Sequence, residues 1–329
     1  MSDQHGRPAG AWRSWFFGIV VIAALVGTVA HWGEVTAFGT LIHQARPGWL
    51  GLAIAFQIST YASLALGWSQ VLAAAGTPRK LAELMRIAIT KLFADQVLPS
   101  AGMGGNVLLV DQLRGIGVAR GAAVAALLIS MIGFYAAYAF FAVVMLALLW
   151  RHDHATPIVA GLVTVFLCVA VAIPGLALWL RDKGSKRPPE IVEKIGFARK
   201  LLETVAQAPD YLLRNHALLV RVTFCNAMIF LADAGTLFAC LRALGTSPGF
   251  STCFIAVIMA SIVVTLGPIP LGLGTFEATS TATLHLLGVP FEAAFAGTMM
   301  FRVLTLWLPL VPGMVLMRGV LGHRHGAGK

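Results

Sequence analysis

The chain is a succession of long apolar runs, interrupted by two Pro/Gly clusters. The runs cover about 14–32, 48–75, 119–150, 157–180, 217–243 and 292–317; the first reads WFFGIVVIAALVGTVAHW from Trp15. Each is of the length a spanning helix needs, about 20 residues. None alternates with a period of two, so helices are expected rather than barrel strands. Two shorter pieces break the pattern. Residues 80–97 carry Glu83, Arg86, Lys91 and Asp95 and stop at Leu98-Pro99-Ser100-Ala101-Gly102-Met103-Gly104-Gly105. Residues 250–266 stop at Gly267-Pro268-Ile269-Pro270-Leu271-Gly272-Leu273-Gly274, and a limb at 275–287 follows. No helix tolerates such clusters in its interior. In lipid, each unpaired backbone group costs several kcal/mol, so the freed backbone must face protein or a wet cavity. Both pieces therefore read as re-entrant hairpins: a limb in, a turn, a limb out.

Composition agrees. Of 329 residues, 58% are hydrophobic and 12% charged, and the mean hydropathy is +0.82. This excludes an ordinary soluble enzyme, a disordered chain and a fibre. The longest polar interval, 181–215, is too short for a soluble catalytic domain. The net charge of +10 would suit nucleic acid, but no basic face is interleaved with aromatics. Basic cytoplasmic loops of a membrane protein explain it better. Cys168, Cys225, Cys240 and Cys253 lie in apolar runs without a CxxC, so neither disulfide nor zinc is expected. Arg7 and Arg13 precede a first run that reads as a retained span, not a signal peptide.

The two breaks belong to a repeat. At a shift of 171 residues, Pro99 falls on Pro270, Leu113 on Leu284, Gly117 on Gly288, Val118 on Val289, and Ala122, Ala123 and Ala125 on Ala293, Ala294 and Ala296. Asn106 falls on Glu277. Upstream the shift is 169: Leu72, Ala74, Gly76 and Thr77 meet Leu241, Ala243, Gly245 and Thr246. The unit is span, hairpin, span, about 48–150 and about 219–321, within a single transmembrane domain. Three full spans separate the hairpins, so they enter from opposite faces, an architecture of transporters. The expectation is an all-α polytopic integral membrane protein of about six full spans plus two oppositely oriented re-entrant hairpins in an inverted repeat. Counting a hairpin limb as a full span is the alternative. With both termini cytoplasmic, 19 of the 24 lysines and arginines fall inside, in segments 1–14, 76–120, 181–215 and the tail. Arg46 and Arg151 fall in outside loops, with Arg242 at an edge.

Charged residues inside the apolar runs are the candidates for binding. Arg302 is either an anion clamp or the partner of Glu277 or Asp233. Glu277 sits three residues after Gly274, where a carboxylate caps a helix start. Asp233 is either a proton or cation site or a helix–helix contact. Helix starts after Gly105 and after Gly274 present N–H groups and a positive dipole end to an anionic head group. Arg86 and Lys91 gather anionic head groups or belong to a charged helix face with Glu83 and Asp95. Asp111 and Arg114 read as structural. His152, Asp153 and His154 read as exposed loop residues, not a metal site. No cofactor is expected, and no Walker loop, HExxH or GxSxG occurs in a suitable context.

The LP-x-x-GxGG break at Pro99, with Gly102, Gly104 and Gly105, and the P-x-P-x-GxGxxE stretch from Pro268 through Pro270, Gly272 and Gly274 to Glu277 carry a resemblance. So do Gly288-Val289, Ala293-Ala294 and Arg302. Over about 15–320 the chain resembles the flippase-like transmembrane region of lysylphosphatidylglycerol synthases, also found as stand-alone bacterial membrane proteins. The resemblance implies transfer or presentation of a polar-headed lipid between leaflets of the bacterial inner membrane. The lipid would be an anionic or aminoacylated phospholipid, a hopanoid or a polyprenyl-linked lipid. The synthase activity belongs to a separate soluble domain and is not implied. Pro270, Gly272, Gly274, Glu277 and Arg302 are the positions the resemblance carries over. Asn106 stands where the family commonly has an acidic residue. The other readings are an accessory subunit of a lipid- or glycan-synthesis enzyme and an intramembrane transferase.

Overall fold

The computed structural model describes residues 45–97, 103–151, 156–184, 208–267, 269, 272–309 and 312–313. The first apolar run, Pro99, Gly102, Pro268, Pro270, His152, Asp153, His154 and most of the loop 181–215 lie outside the described residues. Ten α-helices are described: α1 (Pro47–Ala74), α2 (Leu81–Val97), α3 (Met103–Gly115), α4 (Arg120–Arg151), α5 (Pro157–Gly184), α6 (Asp210–Leu213), α7 (His216–Ala243), α8 (Phe250–Leu266), α9 (Thr275–Leu286) and α10 (Phe291–Arg302). No strand occurs among the described residues. The run expected at 292–317 is α-helical to Arg302, widens into a π-helical turn at Val303–Trp307, and is α-helical again at 308–309 and 312–313.

Local chemistry sets these bounds. Pro47 opens α1, where its missing N–H costs nothing. Asn215 caps α7 by accepting the N–H of Leu218 at 3.1 Å. Four helices before loops close in the same way. Gly76, Gly117, Gly245 and Gly288 all have positive φ, and the following N–H groups reach back five residues, Thr77 to Leu72, Val118 to Leu113, Thr246 to Leu241 and Val289 to Leu284. Glycine takes this left-handed position without a Cβ penalty.

The elements recur. Adding 169 to the bounds of α1 gives those of α7, and adding 169 to α2 gives α8. α9 and α10 begin 172 and 171 residues after α3 and α4. Within each set the same neighbours touch: first helix on second, second on third, third on fourth, first on fourth.

The two leading helices, α1 and α7, form the most extensive contact of the fold and run antiparallel. The N–H of Arg46 donates to the carbonyl of Ala243 at 2.9 Å. Trp49 stands edge-on to Phe238, ring centroids 6.0 Å apart. Further along, Phe56 lies over Gly235, and Gly67 lies beside Val222 and Cys225. Small residues let the backbones approach, which is how helices associate where lipid is as apolar as they are.

Among the described residues four helices are long and apolar enough to cross a membrane: α1, α4, α7 and the Pro157–Leu176 part of α5. α2, α3, α8 and α9 have 17, 13, 17 and 12 residues. At about 1.5 Å per residue none matches a hydrocarbon core of about 30 Å. Large apolar side chains such as Phe140, Ile158, Val171, Val220 and Phe224 are exposed. A soluble protein buries such a surface; a lipid-facing one does not need to. The chain is a polytopic, all-helical membrane protein.

Two buried clusters hold these helices. One gathers Trp68, Leu72, Leu84, Leu109, Leu113 and Leu128 from α1 to α4. The other is aromatic. Tyr138 lies 4.2 Å from Phe166 and 4.9 Å from Phe230 by ring centroids, joining α4, α5 and α7, and Phe141 meets Phe254 of α8 at 5.4 Å.

Candidate functional site

The break before α9 builds a charged site in an apolar chain. Gly272 and Gly274 have φ of 61° and 81°. A Cβ at Gly272 would also run into Val264 of α8. Only glycine therefore lets the chain leave α8, pass Val264 and enter α9. α9 starts at Thr275, so Glu277 falls in its first turn. Its Oε2 accepts the N–H of Gly274 at 2.7 Å. Its Oε1 accepts from Nε of Arg302, also at 2.7 Å. The two roles the sequence left open for Glu277, cap and ion-pair partner, are held at once by the two oxygens of one carboxylate.

Arg302 and Glu277 side chains are 12% and 13% exposed. The Arg302 guanidinium lies over the Phe276 ring, 5.0 Å from its centroid. Phe276 in turn stacks on Phe301, 5.4 Å away and tilted by 11°. One turn below, the Ser280 and Thr298 hydroxyls meet at 3.1 Å, both fully buried. α9 and α10 are thus joined by two polar ties and one ring stack. The π-helical turn follows directly after Arg302. Such turns are frequent at functional sites, because one extra residue re-aims the side chains beside them.

The first break carries a related arrangement from different residues. Helix α3 starts at Met103, so Gly105 lies in its first turn rather than before it. The Asp95 carboxylate of α2 lies against Gly105 so closely that no Cβ fits there. Its Oδ2 accepts from Lys91 Nζ at 2.7 Å. Its Oδ1 is buried and has no hydrogen-bond partner among the described residues. Thr90 Oγ1 donates to Gln112 Oε1 at 2.8 Å, tying α2 to α3. At both breaks the outgoing helix meets the protein's own carboxylate near its start, and a cation of the protein meets that carboxylate. This opposes the positive end of the helix dipole with negative charge.

The structure thus brings together Glu277 with Arg302, and Lys91 with Asp95. Asn106, the positional counterpart of Glu277, is half-buried in α3 and makes no hydrogen bond among the described residues. The carboxylate at that end comes instead from Asp95, on the preceding helix. Arg86 is exposed on α2 and makes no ion pair with Glu83. Asp233 is half-buried on α7 and makes no hydrogen bond or ion pair among the described residues, so it is not the partner of Arg302. Among those residues no group of three or more His, Cys, Asp or Glu is placed to hold a metal.

Phe276, Phe301, Ser280 and Thr298 do not stand out in the sequence. The one signal is spacing: Ser280 is three residues after Glu277 and Thr298 four before Arg302, so each lies one helical turn from its charged neighbour.

No curated protein matches the chain. A family model described as the lysylphosphatidylglycerol synthase TM region matches residues 15–313. The chain belongs to the family of the lysylphosphatidylglycerol synthase transmembrane region.

Proposed function

We propose that the protein moves or presents a polar-headed lipid between the leaflets of the bacterial inner membrane, with no group transfer of its own. The observation that carries this reading is the Glu277–Arg302 pair. It is a nearly buried pair of opposite charges beside a helix break, in a chain where only 12% of residues are charged. Charges kept within a membrane domain usually mark a path for a polar cargo. The Arg302 guanidinium suits the anionic part of a head group, and the Glu277 carboxylate suits a cationic part or a proton. The acyl chains stay in the bilayer.

The two helix sets act as inverted copies, with α2–α3 and α8–α9 as re-entrant hairpins from opposite faces. The antiparallel course of α1 and α7 supports this, and so does the shortness of the four hairpin limbs. Both termini face the cytoplasm, as the distribution of lysine and arginine favours. The family described above supports a lipid-related role.

The test is exchange of fluorescent phosphatidylglycerol across vesicles holding the purified protein, read by dithionite quenching of the outer leaflet. Exchange faster than in empty vesicles, with the lipid chemically unchanged, supports the proposal. Modified lipid would indicate a transferase. No exchange, with co-purification of a lipid- or glycan-synthesis enzyme, would indicate an accessory subunit.

A further inference from the structure

The two hairpins are related in sequence and differ in how their limbs are fastened. In the first, Arg79 lies in the turn before α2. Its Nη2 donates to the Gly117 carbonyl in the turn after α3, at 2.7 Å, closing the open end of the hairpin. Thr90 and Gln112 tie the limbs midway, at 2.8 Å. In the second hairpin Pro248 stands at the position of Arg79 and has no donor to offer. There an open cleft separates the two turns, lined by Ser247, Pro248 and Thr252 on one side and Leu287, Gly288 and Val289 on the other.

No hydrogen bond or ion pair joins α8 to α9 among the described residues. Each limb is fastened elsewhere. α8 is tied to α4, with Tyr138 Oη 3.3 Å from Thr265 Oγ1 and Phe141 against Phe254. α9 is tied to α10 through Glu277–Arg302 and Ser280–Thr298. The seam between α8 and α9 therefore divides two pairs with separate polar ties, both of which also pack on α7, and α8 carries no charged residue.

A seam with no hydrogen bond or ion pair across it has a particular meaning in a bilayer. In water, burying it would be strongly favoured. In lipid, acyl chains replace those contacts at little cost, because no water has to be exposed. Polar ties resist such replacement, since each broken bond leaves an unsatisfied group in hydrocarbon.

We propose that the α8/α9 seam is a lateral portal: it parts to admit the acyl chain of a membrane lipid, while the α2/α3 hairpin stays closed. This rests on the lipid-moving role proposed above and specifies which contact opens. Parting the seam carries α9 and α10 together, so the Glu277–Arg302 pair travels as one unit with the opened wall. The lipid head group then meets Glu277 and Arg302 while its tails occupy the seam.

Two measurements test this in a chain whose four native cysteines are replaced. The first joins the two sides of the cleft with Thr252→Cys and Leu287→Cys and a reducible bifunctional thiol reagent. The control pair at the equivalent positions of the first hairpin is Glu83→Cys and Ile116→Cys. Cross-linking the cleft is expected to slow phosphatidylglycerol exchange at least tenfold and reduction to restore it. Cross-linking the control pair changes exchange less than twofold. Equal effects at the two pairs, or none at the cleft, would overturn the portal. The second measurement needs no transport: a phospholipid with a diazirine in its acyl chain, in nanodiscs, is photolysed and labelled peptides are mapped. Label in 250–287 is expected to fall at least threefold when the cleft is cross-linked. Unchanged label overturns the portal even in a protein that exchanges lipid, and lost label without any exchange would refute the transport reading alone. Pro248→Arg, which offers Gly288 the donor that Arg79 gives Gly117, is expected to slow exchange at least threefold in an uncross-linked protein.

Discussion

Gln57 of α1 and Asn226 of α7 occupy equivalent positions of the two helix sets, 169 residues apart, and each buries a side-chain amide whose carbonyl oxygen has no partner among the described residues. They are 4% and 2% exposed. The Gln57 amide nitrogen donates to Thr60 Oγ1 at 3.4 Å and that of Asn226 to the Val222 carbonyl at 2.8 Å. A buried acceptor without a donor costs about 1–3 kcal/mol. Gln57→Leu or Asn226→Leu is therefore expected to leave thermal stability unchanged or raise it by about 1 kcal/mol, while lipid exchange falls. Paired melting and exchange assays check this, and a fall in both would mean that the amides serve the fold alone.

Arg302 and Glu277 are coupled through one nearly buried hydrogen bond. Removing Arg302 takes the cation away from a nearly buried Glu277 carboxylate, and breaking a buried pair costs about 3–5 kcal/mol. Arg302→Ala and Glu277→Ala should each lower stability and exchange, and the double variant should be more stable than the sum of the two predicts. A double-mutant cycle from denaturation in detergent measures the coupling. Glu277→Gln keeps an acceptor for the Gly274 N–H and is expected to lose less stability than Glu277→Ala.

Gly105 exists to admit the Asp95 carboxylate. Gly105→Ala places a Cβ inside it, and overpacking of this kind costs about 1–3 kcal/mol. Adding Asp95→Ala to Gly105→Ala should recover part of that loss, because the obstructing group is gone. Recovery would be read from thermal midpoints, and its absence would place the clash elsewhere in α3.

The inverted arrangement proposed above predicts the sidedness of the loops. In a cysteine-free chain, Asp153→Cys and Ser247→Cys should react with an impermeant maleimide from outside. Lys186→Cys and His325→Cys should react only after the membrane is opened. Labelling of His325→Cys from outside would shift the count of crossings by one.

Helix type and most helix bounds were readable from the sequence to within a residue or two, since apolar runs, Pro/Gly breaks and C-terminal glycines are local signals; α5 runs four residues past 180, and the run read at 292–317 turns π-helical after Arg302. Residues 250–266 read as a short helix, and α8 is Phe250–Leu266. The pattern of identities at shifts of 169 and 171 likewise rests on local chemistry: the same glycines turn the chain at Gly76 and Gly245 and at Gly117 and Gly288. The site was only half legible. Glu277 and Arg302 stood out because charge is rare in this chain. Which of Glu277 and Asp233 would meet Arg302 did not, because that depends on how α7, α9 and α10 are placed in space.

Asp95 was half legible for the same reason. Its spacing from Lys91 spoke for an ordinary helical pair, which it makes. Nothing in that spacing told that its carboxylate would also lie at Gly105, on the next helix. Asn106 drew notice by position in the repeat, yet the carboxylate at that helix start comes from α2. The sequence by itself determined the solvent, the helices and their order, because hydropathy, proline and glycine act over a few neighbouring residues. Only the tertiary structure decided which charges meet, which limbs are fastened and which seam is left bare, because those contacts depend on helix register across a chain that folds back on itself.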